Sequence, residues 1–367
     1  MSEFKNLPSG WRVVRLGDVL KIGSGRDYKH LELGNIPVYG TGGYMLSVDE
    51  FLYDGESVCI GRKGTIDKPI YLNCKFWTVD TLFYTYGFKN SLPKFIYYIF
   101  STIDWQKYNE ATGVPSLSKN TICNIRVKLP SLDEQKKIAE ILSTWDEAIN
   151  LTINLIESKK QFKKALMQNL LTAKIRFPQF KDEWKETKLG EICEIQTGKL
   201  NANAMIQGGR YKFFTCAKEV FEIDDYAFDT EAILVSGNGE NVGYIHYFNG
   251  KFNAYQRTYV LDKFTENILF IKYFLEFALK RKIEIEKKDG NTPYIVLSTI
   301  FGFIVKLPNL NEQQKIAEVL TACDDEINLL NLKLENLKKQ QQGLMQKLLS
   351  GNIRTKVKGG KNVKMDD

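Results

Sequence analysis

Histidine is nearly missing: His30 and His246 are the only two in 367 residues, and neither has a cysteine or carboxylate at metal-ligand spacing. A zinc centre and a Ser-His-Asp arrangement are therefore both disfavoured. The six cysteines, at 59, 74, 123, 193, 216 and 323, form no C-x-x-C pair. With no secretory signal at the start, they read as reduced thiols of a cytoplasmic protein. No G-x-x-x-x-G-K-[ST] occurs, which removes a P-loop ATPase. The cluster Gly237, Gly239 and Gly243 runs into strand-like Tyr244 rather than into a helix, so it is no nucleotide fingerprint. No apolar run reaches the roughly 20 residues of a membrane span. Proline is scarce too, 9 in all, and neither proline nor glycine falls within residues 131–171.

What is present is a repeat. Residues 129–140, Leu-Pro-Ser-Leu-Asp-Glu-Gln-Lys-Lys-Ile-Ala-Glu, return at 307–318 as Leu-Pro-Asn-Leu-Asn-Glu-Gln-Gln-Lys-Ile-Ala-Glu. The offset (307 against 129) holds without a gap to the close, Leu166-Met167-Gln168 against Leu344-Met345-Gln346, then Ile175-Arg176 against Ile353-Arg354. Each copy starts as a helix should. Ser131 and Asn309 are N-cap residues, and Glu134 and Glu312, three positions on, would complete capping boxes. In the second copy Ile316, Leu320, Cys323, Ile327, Leu330, Leu334, Leu337, Gln341, Leu344 and Leu348 recur at steps of three and four. That is a heptad seam. The matching positions of the first copy are Ile138, Leu142, Trp145, Ile149, Thr152, Ile156, Lys159, Lys163, Leu166 and Leu170, polar past the middle. About 40 residues at 1.5 Å each make a rod of roughly 60 Å. Such a stripe needs a partner, either its own globular neighbour or the other copy. Equal length and matching register favour the second, an antiparallel coiled coil with a pseudo-twofold axis. Lys159 and Lys163 would then mark where the first helix leaves its partner or meets another subunit.

The repeat extends beyond the helix. Trp11, Leu16 and Gly17 are echoed by Trp184, Leu189 and Gly190, and Ile22 and Gly25 by Ile195 and Gly198. A five-part organisation follows: a head at 1–130, a helical region at 131–176, a second head at 177–308, a second helical region at 309–354, and a basic tail at 355–367 expected to be disordered. Both heads hold short β-type runs, at 36–39, 57–60 and 81–86, and at 232–235, 244–247 and 257–260. Each also has one helical stretch, 93–107 and 268–287. The fold class is α+β: two mixed heads joined by two long helices.

The net charge is +7 and the pI near 8.8, compatible with a nucleic-acid partner. In the first head Gly40, Thr41, Gly42 and Tyr44, then Arg62, Lys63 and Thr65, set cations beside bare backbone. In the second, Lys199, Ser236, Asn238 and Asn241 do so, followed by Gln256 and Arg257. Glycine lets backbone N–H groups approach phosphate, Arg pairs with a guanine edge, and Gln or Asn with adenine. The alternative is tight hairpin turns with solvated charge. Asn291-Thr292-Pro293-Tyr294 superficially suggests a base-holding loop of adenine methyltransferases. It lacks their first proline, and no glycine-rich cofactor strand precedes it.

With these residues laid out, the chain resembles the DNA-specificity subunits of type I restriction-modification systems. The resemblance rests on a variable head followed by Leu-Pro-x-Leu-x-Glu-Gln-x-x-Ile-Ala-Glu-x-Leu and a helix closing Leu-Met-Gln-x-Leu-Leu, all repeated. Head segments 36–43, 61–64 and 250–258 also fit it. The resemblance implies a non-catalytic reader of double-stranded DNA, each head taking half of a split target while the helices set the gap. It further implies two methyltransferase subunits that carry S-adenosylmethionine, and two restriction and translocase subunits that use ATP and Mg. Two other readings stay open at this point: a coiled-coil scaffold with two protein-binding heads, and a solitary adenine methyltransferase.

Overall fold

The computed structural model describes residues 7–286 and 294–355. Lys287, Asn291, Thr292 and Pro293, and the tail beyond Thr355, lie outside the described residues. The chain divides into two compact units, one within 1–153 and 333–367, the other within 154–332. Both boundaries fall inside a long helix.

The first unit runs β1 (Arg12–Arg15), α1 (Leu16–Val19), β2 (Lys21–Ser24), β3 (Leu33–Gly40), β4 (Gly43–Val48), β5 (Tyr53–Gly61), β6 (Ile70–Thr78), β7 (Leu82–Tyr86), α2 (Pro93–Thr102), α3 (Lys119–Asn124) and β8 (Arg126–Leu129). It then enters α4 (Leu132–Leu170). The second runs β9 (Lys185–Lys188), α5 (Leu189–Ile192), β10 (Glu194–Thr197), β11 (Tyr211–Phe214), β12 (Phe221–Ile223), β13 (Phe228–Ser236), β14 (Ile245–Ala254), β15 (Thr258–Asp262), α6 (Ile268–Glu286), α7 (Leu297–Phe301) and β16 (Ile304–Leu307). It leads into α8 (Leu310–Ser350).

Strand order is the same in both heads: β2-β7-β5-β6-β3-β4 in the first and β10-β15-β13-β14-β11-β12 in the second. Each sheet has one parallel pair at the same place, β3 with β6 and β11 with β14. Central strands are apolar on both faces because both faces are covered. Val58 and Ile60 of β5 join the helical core while Cys59 between them joins the opposite cluster; Ile233 and Val235 of β13 alternate in the same way with Ala232 and Leu234. The repeated glycines mark close approaches. A Cβ at Gly25 would lie 1.9 Å from the Val79 carbonyl oxygen, and one at Gly198 1.9 Å from that of Ala254.

A separate two-stranded ladder closes each head onto its helix, β1 with β8 and β9 with β16. Just beyond it, Ser131 Oγ and Asn309 Oδ1 accept the backbone N–H of Glu134 (3.4 Å) and Glu312 (3.0 Å), as N-caps do. The glutamates themselves are not used as expected. Their carboxylates do not turn back to close a capping box; each is buried and accepts a bidentate pair from an arginine that follows the other long helix. Arg354 reaches Glu134 at 2.8 and 3.0 Å, and Arg176 reaches Glu312 at 2.9 and 2.7 Å. The adjoining glutamines are fully buried as well. Gln135 accepts from the Leu92 N–H and donates to the carbonyls of Asn90 and Pro130. Gln313 accepts from the Asn267 N–H and donates to Glu266 and the Pro308 carbonyl. The repeated Glu-Gln is thus a clasp that binds head to helix.

Within each unit the two long helices run antiparallel. In the first, Asp146 meets Gln341 while Glu134 meets Arg354; in the second, Lys163 meets Asp324 while Arg176 meets Glu312. Of the seam positions, Ile138, Leu142, Ile149, Ile156, Leu170, Ile316, Leu320, Ile327 and Leu348 are buried. Trp145, Leu166, Leu330, Leu334, Leu337 and Leu344 are half-buried. Lys159 and Lys163 do not mark a departure of the helix from its partner: Lys159 pairs with Glu326 at 2.8 Å and Lys163 with Asp324 at 2.6 Å. The first head helix is shorter than expected, stopping at Thr102 before a 3-10 turn at Trp105–Tyr108.

Candidate nucleic-acid interface

Each head has a cleft beside the end of its central strand, where the sheet gives way to loops. In the first, the cleft measures about 720 Å³ and is lined by Ser24, Arg62, Lys63, Phe83, Val114, Ser116 and Lys119 among others. In the second it measures about 310 Å³, lined by Thr197, Gly237, Gln256, Arg257, Tyr259, Tyr294 and Ile295. The positions correspond. β5 ends Gly61↔Leu82 and β13 ends Ser236↔Thr258, so Arg62 and Lys63 take the places that Gly237 and Asn238 hold in the second head. The next contact agrees, because Lys63 bridges to Ser116 as Asn238 bridges to Tyr294.

The cation therefore enters from opposite walls. In the first head it follows the central strand: the Arg62 N–H donates to the Thr81 carbonyl at 2.7 Å, and its side chain leans on the Asp80 carbonyl at 3.4 Å. In the second head that wall is bare glycine, the Gly237 N–H donating to the Arg257 carbonyl at 2.8 Å. The arginine now comes from the turn before β15. It is exposed, whereas four other cations of this head face carboxylates: Lys212 with Glu222, Arg210 with Asp224, Lys251 with Asp229, Lys263 with Glu194. Gln256 beside it donates to Asn201 Oδ1 at 3.0 Å.

The remaining candidates scatter. Gly40, Thr41, Gly42 and Tyr44 form the β3–β4 hairpin, whose tip meets the 61–65 turn: a Cβ at Gly64 would lie 3.7 Å from Thr41 Oγ1. Gly42 is open to solvent and Tyr44 is exposed, but Gly40 is buried, where a Cβ would press on Met45 Sδ at 2.8 Å. Thr65 packs its carbonyl under Gly61. Lys199 is exposed at the edge of the second cleft, next to Leu200, which bridges to Tyr255. Asn241 sits in a turn closed by the Tyr244 N–H. Ser236 is a correction: it is fully buried in the last pair of β13, and its hydroxyl has no partner among the described residues. It cannot serve as a surface contact. Neither histidine sits in a cleft lining. His30 lies edge-on to Trp77, and His246 meets the Ala217 carbonyl at 3.0 Å, burial holding its pKa below the usual value. Among the described residues no group of His, Cys, Asp and Glu is arranged to hold a metal.

Sequence reasoning missed Ser24, Phe83, Val114, Ser116 and Lys119 in the first cleft, and in the second it met Tyr294 only within the discounted Asn-Thr-Pro-Tyr loop. Ser24 and Thr197 stand one residue before the echoed Gly25 and Gly198, which was the available signal.

Two heads of one topology, clasped by a repeated motif to duplicated helices and carrying corresponding clefts with different linings, define an internally duplicated two-headed scaffold. The chain belongs to the type I restriction-modification DNA specificity family: the type I restriction modification DNA specificity domain matches it twice, over residues 8–158 and 181–339. It is similar to the EcoDI specificity subunit of Escherichia coli, 38% identical over 175 residues that span 47% of this chain and 39% of that protein. The MjaVIII specificity subunit of Methanocaldococcus jannaschii is 24% identical across 95% of this chain and 94% of its own length. The solved S subunit of a type I restriction-modification system from M. genitalium has the same fold, with a TM-score of 0.70 at 17% identity, covering 95% of this chain and 98% of that one. No helix among the described residues is long and apolar enough to cross a membrane.

Proposed function

We propose that the chain is the DNA-reading subunit of a type I restriction-modification complex, in which each head reads one half of a bipartite, asymmetric duplex target through its cleft. The observation that carries this reading is the pair of corresponding clefts lined by different side chains, Arg62 and Lys63 in one and Gln256 and Arg257 in the other. A shared frame with unlike linings suits one docking mode and two base preferences. The long helices set the number of base pairs between the halves, and their outer faces dock two methyltransferase subunits. Those partners supply S-adenosylmethionine and the adenine chemistry, and two restriction and translocase subunits supply the ATP- and Mg-dependent steps. This chain supplies recognition.

Sequencing of modified adenines in a host that expresses the chain with its methyltransferase subunit tests this directly. A split motif with a fixed gap is expected, and exchanging residues 12–128 for another head should alter one half only. Methylation independent of sequence, or both halves changed by one exchange, would return the scaffold reading to favour.

A further inference from the structure

One aspartate in each unit joins three helices. In the first unit, Asp146 of α4 accepts from Tyr98 of α2 at 2.6 Å and from Gln341 of α8 at 2.6 Å, with Lys94 of α2 at 3.9 Å. In the second, Asp324 of α8 accepts from Tyr273 of α6 at 2.8 Å and from Lys163 of α4 at 2.6 Å, with Lys272 of α6 at 3.7 Å. Both tyrosines are almost wholly buried, and Ser143 and Thr321 support their hydroxyls at 3.0 and 3.2 Å. The partners across the helix pair, Gln341 and Lys163, are polar positions of a largely apolar seam, a costly choice if stability were the only requirement.

We infer that Asp146 and Asp324 are positioning residues for target recognition, each locking its head helix and both long helices into a single register. This rests on the reading that the helices set the gap between half-sites. The sequence around each partner supports a register role. Slipping the helices by one heptad would replace Gln341 opposite Asp146 by Leu334 or Leu348, and Lys163 opposite Asp324 by Ile156 or Leu170. Every such slip leaves a carboxylate against an apolar side chain, whereas the leucines and isoleucines of the seam would accept either register. A polar residue in a seam is a known means of fixing register at some loss of stability. The two locks differ in strength. Asp146 faces a neutral amide; Asp324 faces Lys163, which also meets Glu276 at 3.8 Å, and Lys272, which meets Glu276 at 3.3 Å.

The test is selection of bound duplexes from a random-sequence pool by the full-length chain, with and without its methyltransferase subunit. Wild type is compared with Asp324→Asn, Asp146→Asn and Tyr273→Phe. The last removes one hydroxyl and leaves the ion pairs in place, so it reports even where Asp324→Asn fails to fold. Wild type should return two half-sites at one gap length. Asp324→Asn and Tyr273→Phe should return the same half-sites, with discrimination against gaps about three base pairs longer or shorter, the length of a one-heptad slip, reduced about tenfold, the loss of one charged hydrogen bond. Asp146→Asn should reduce it less, about threefold, because Gln341 and Tyr98 can both still bond to an asparagine amide. If wild type yields no fixed gap, the spacing role of the helices fails. If wild type does but the variants discriminate equally well, or lose affinity for all gaps alike, the positioning inference is overturned.

Discussion

The two clasps are built from the same letters and differ in what they leave exposed. At the start of α4, Glu134 answers both to Arg354, whose side chain is 46% exposed, and to the indole N–H of Trp11 at 3.1 Å. At the start of α8, Glu312 is fully buried and answers to Arg176, only 22% exposed. The indole N–H of Trp184, which repeats Trp11, is buried with no partner among the described residues. One motif thus gives a shared contact with a half-exposed arginine in one unit and an ion pair on a fully buried carboxylate in the other. Repetition of sequence preserves a connection without preserving its energetics.

Truncating the glutamates breaks that comparison most sharply. Glu312→Ala removes a fully buried carboxylate and leaves the Arg176 guanidinium without its partner, and it is expected to lower stability more than Glu134→Ala does. Glu134→Ala leaves Arg354 free to hydrate, and about 2 kcal/mol is expected, most of it from the Trp11 N–H and the lost packing. Urea unfolding of the full-length variants measures both. Equal losses would mean that solvent reaches the two clasps alike.

A smaller effect concerns acid. Burial alone would raise the Asp324 pKa, but the hydrogen bonds from Lys163 and Tyr273 outweigh it and hold the carboxyl below its usual value. A group whose pKa is depressed by folding adds stability that is present above its unfolded value, about 3.9, and lost as pH falls through the folded one. Unfolding midpoints should therefore drop on acidification below about pH 4, and Asp324→Asn should flatten part of that limb. An identical acid limb in the variant would show that the Lys163 contact carries no linked proton.

What the sequence made legible was whatever repeats or alternates. The offset of 178 and the three-four spacing give both long helices nearly to the residue, and the doubly covered strands β5 and β13 announce themselves as apolar runs. What it hid was long-range pairing. The edge strand β12 is only three residues long, and the place of β4 and β12 beside β3 and β11 is a property of the sheet. The purpose of Glu134 was equally out of reach, since a capping box is a local rule and its real partner, Arg354, lies 220 positions away. The clefts sit between these cases. Arg62 and Arg257 were visible as cations among glycines, but their entry from opposite walls depends on which strand ends meet, and Ser236 looked like a loop residue only because the extent of β13 could not be seen.

The clefts supply the finest test of the comparison, in the salt dependence of binding. The first is lined by Arg62, Lys63 and Lys119, the second by Arg257 alone among cations. Each cation that neutralises a phosphate adds up to about 0.9 to the slope of log affinity against log salt concentration. Replacing Arg62, Lys63 and Lys119 by alanine together should thus flatten the slope by about 2 to 3. Arg257→Ala should change the slope by at most about 1 and instead relax preference at one position of one half-site, since a base contact discriminates without releasing many counterions. Titrations of one bipartite duplex and its single-substitution variants, across salt concentrations, separate the outcomes. If Arg257→Ala flattens the slope as much as the triple replacement and leaves preference intact, the second head holds backbone as the first does, and its bases are read by Gln256 and Tyr294 instead.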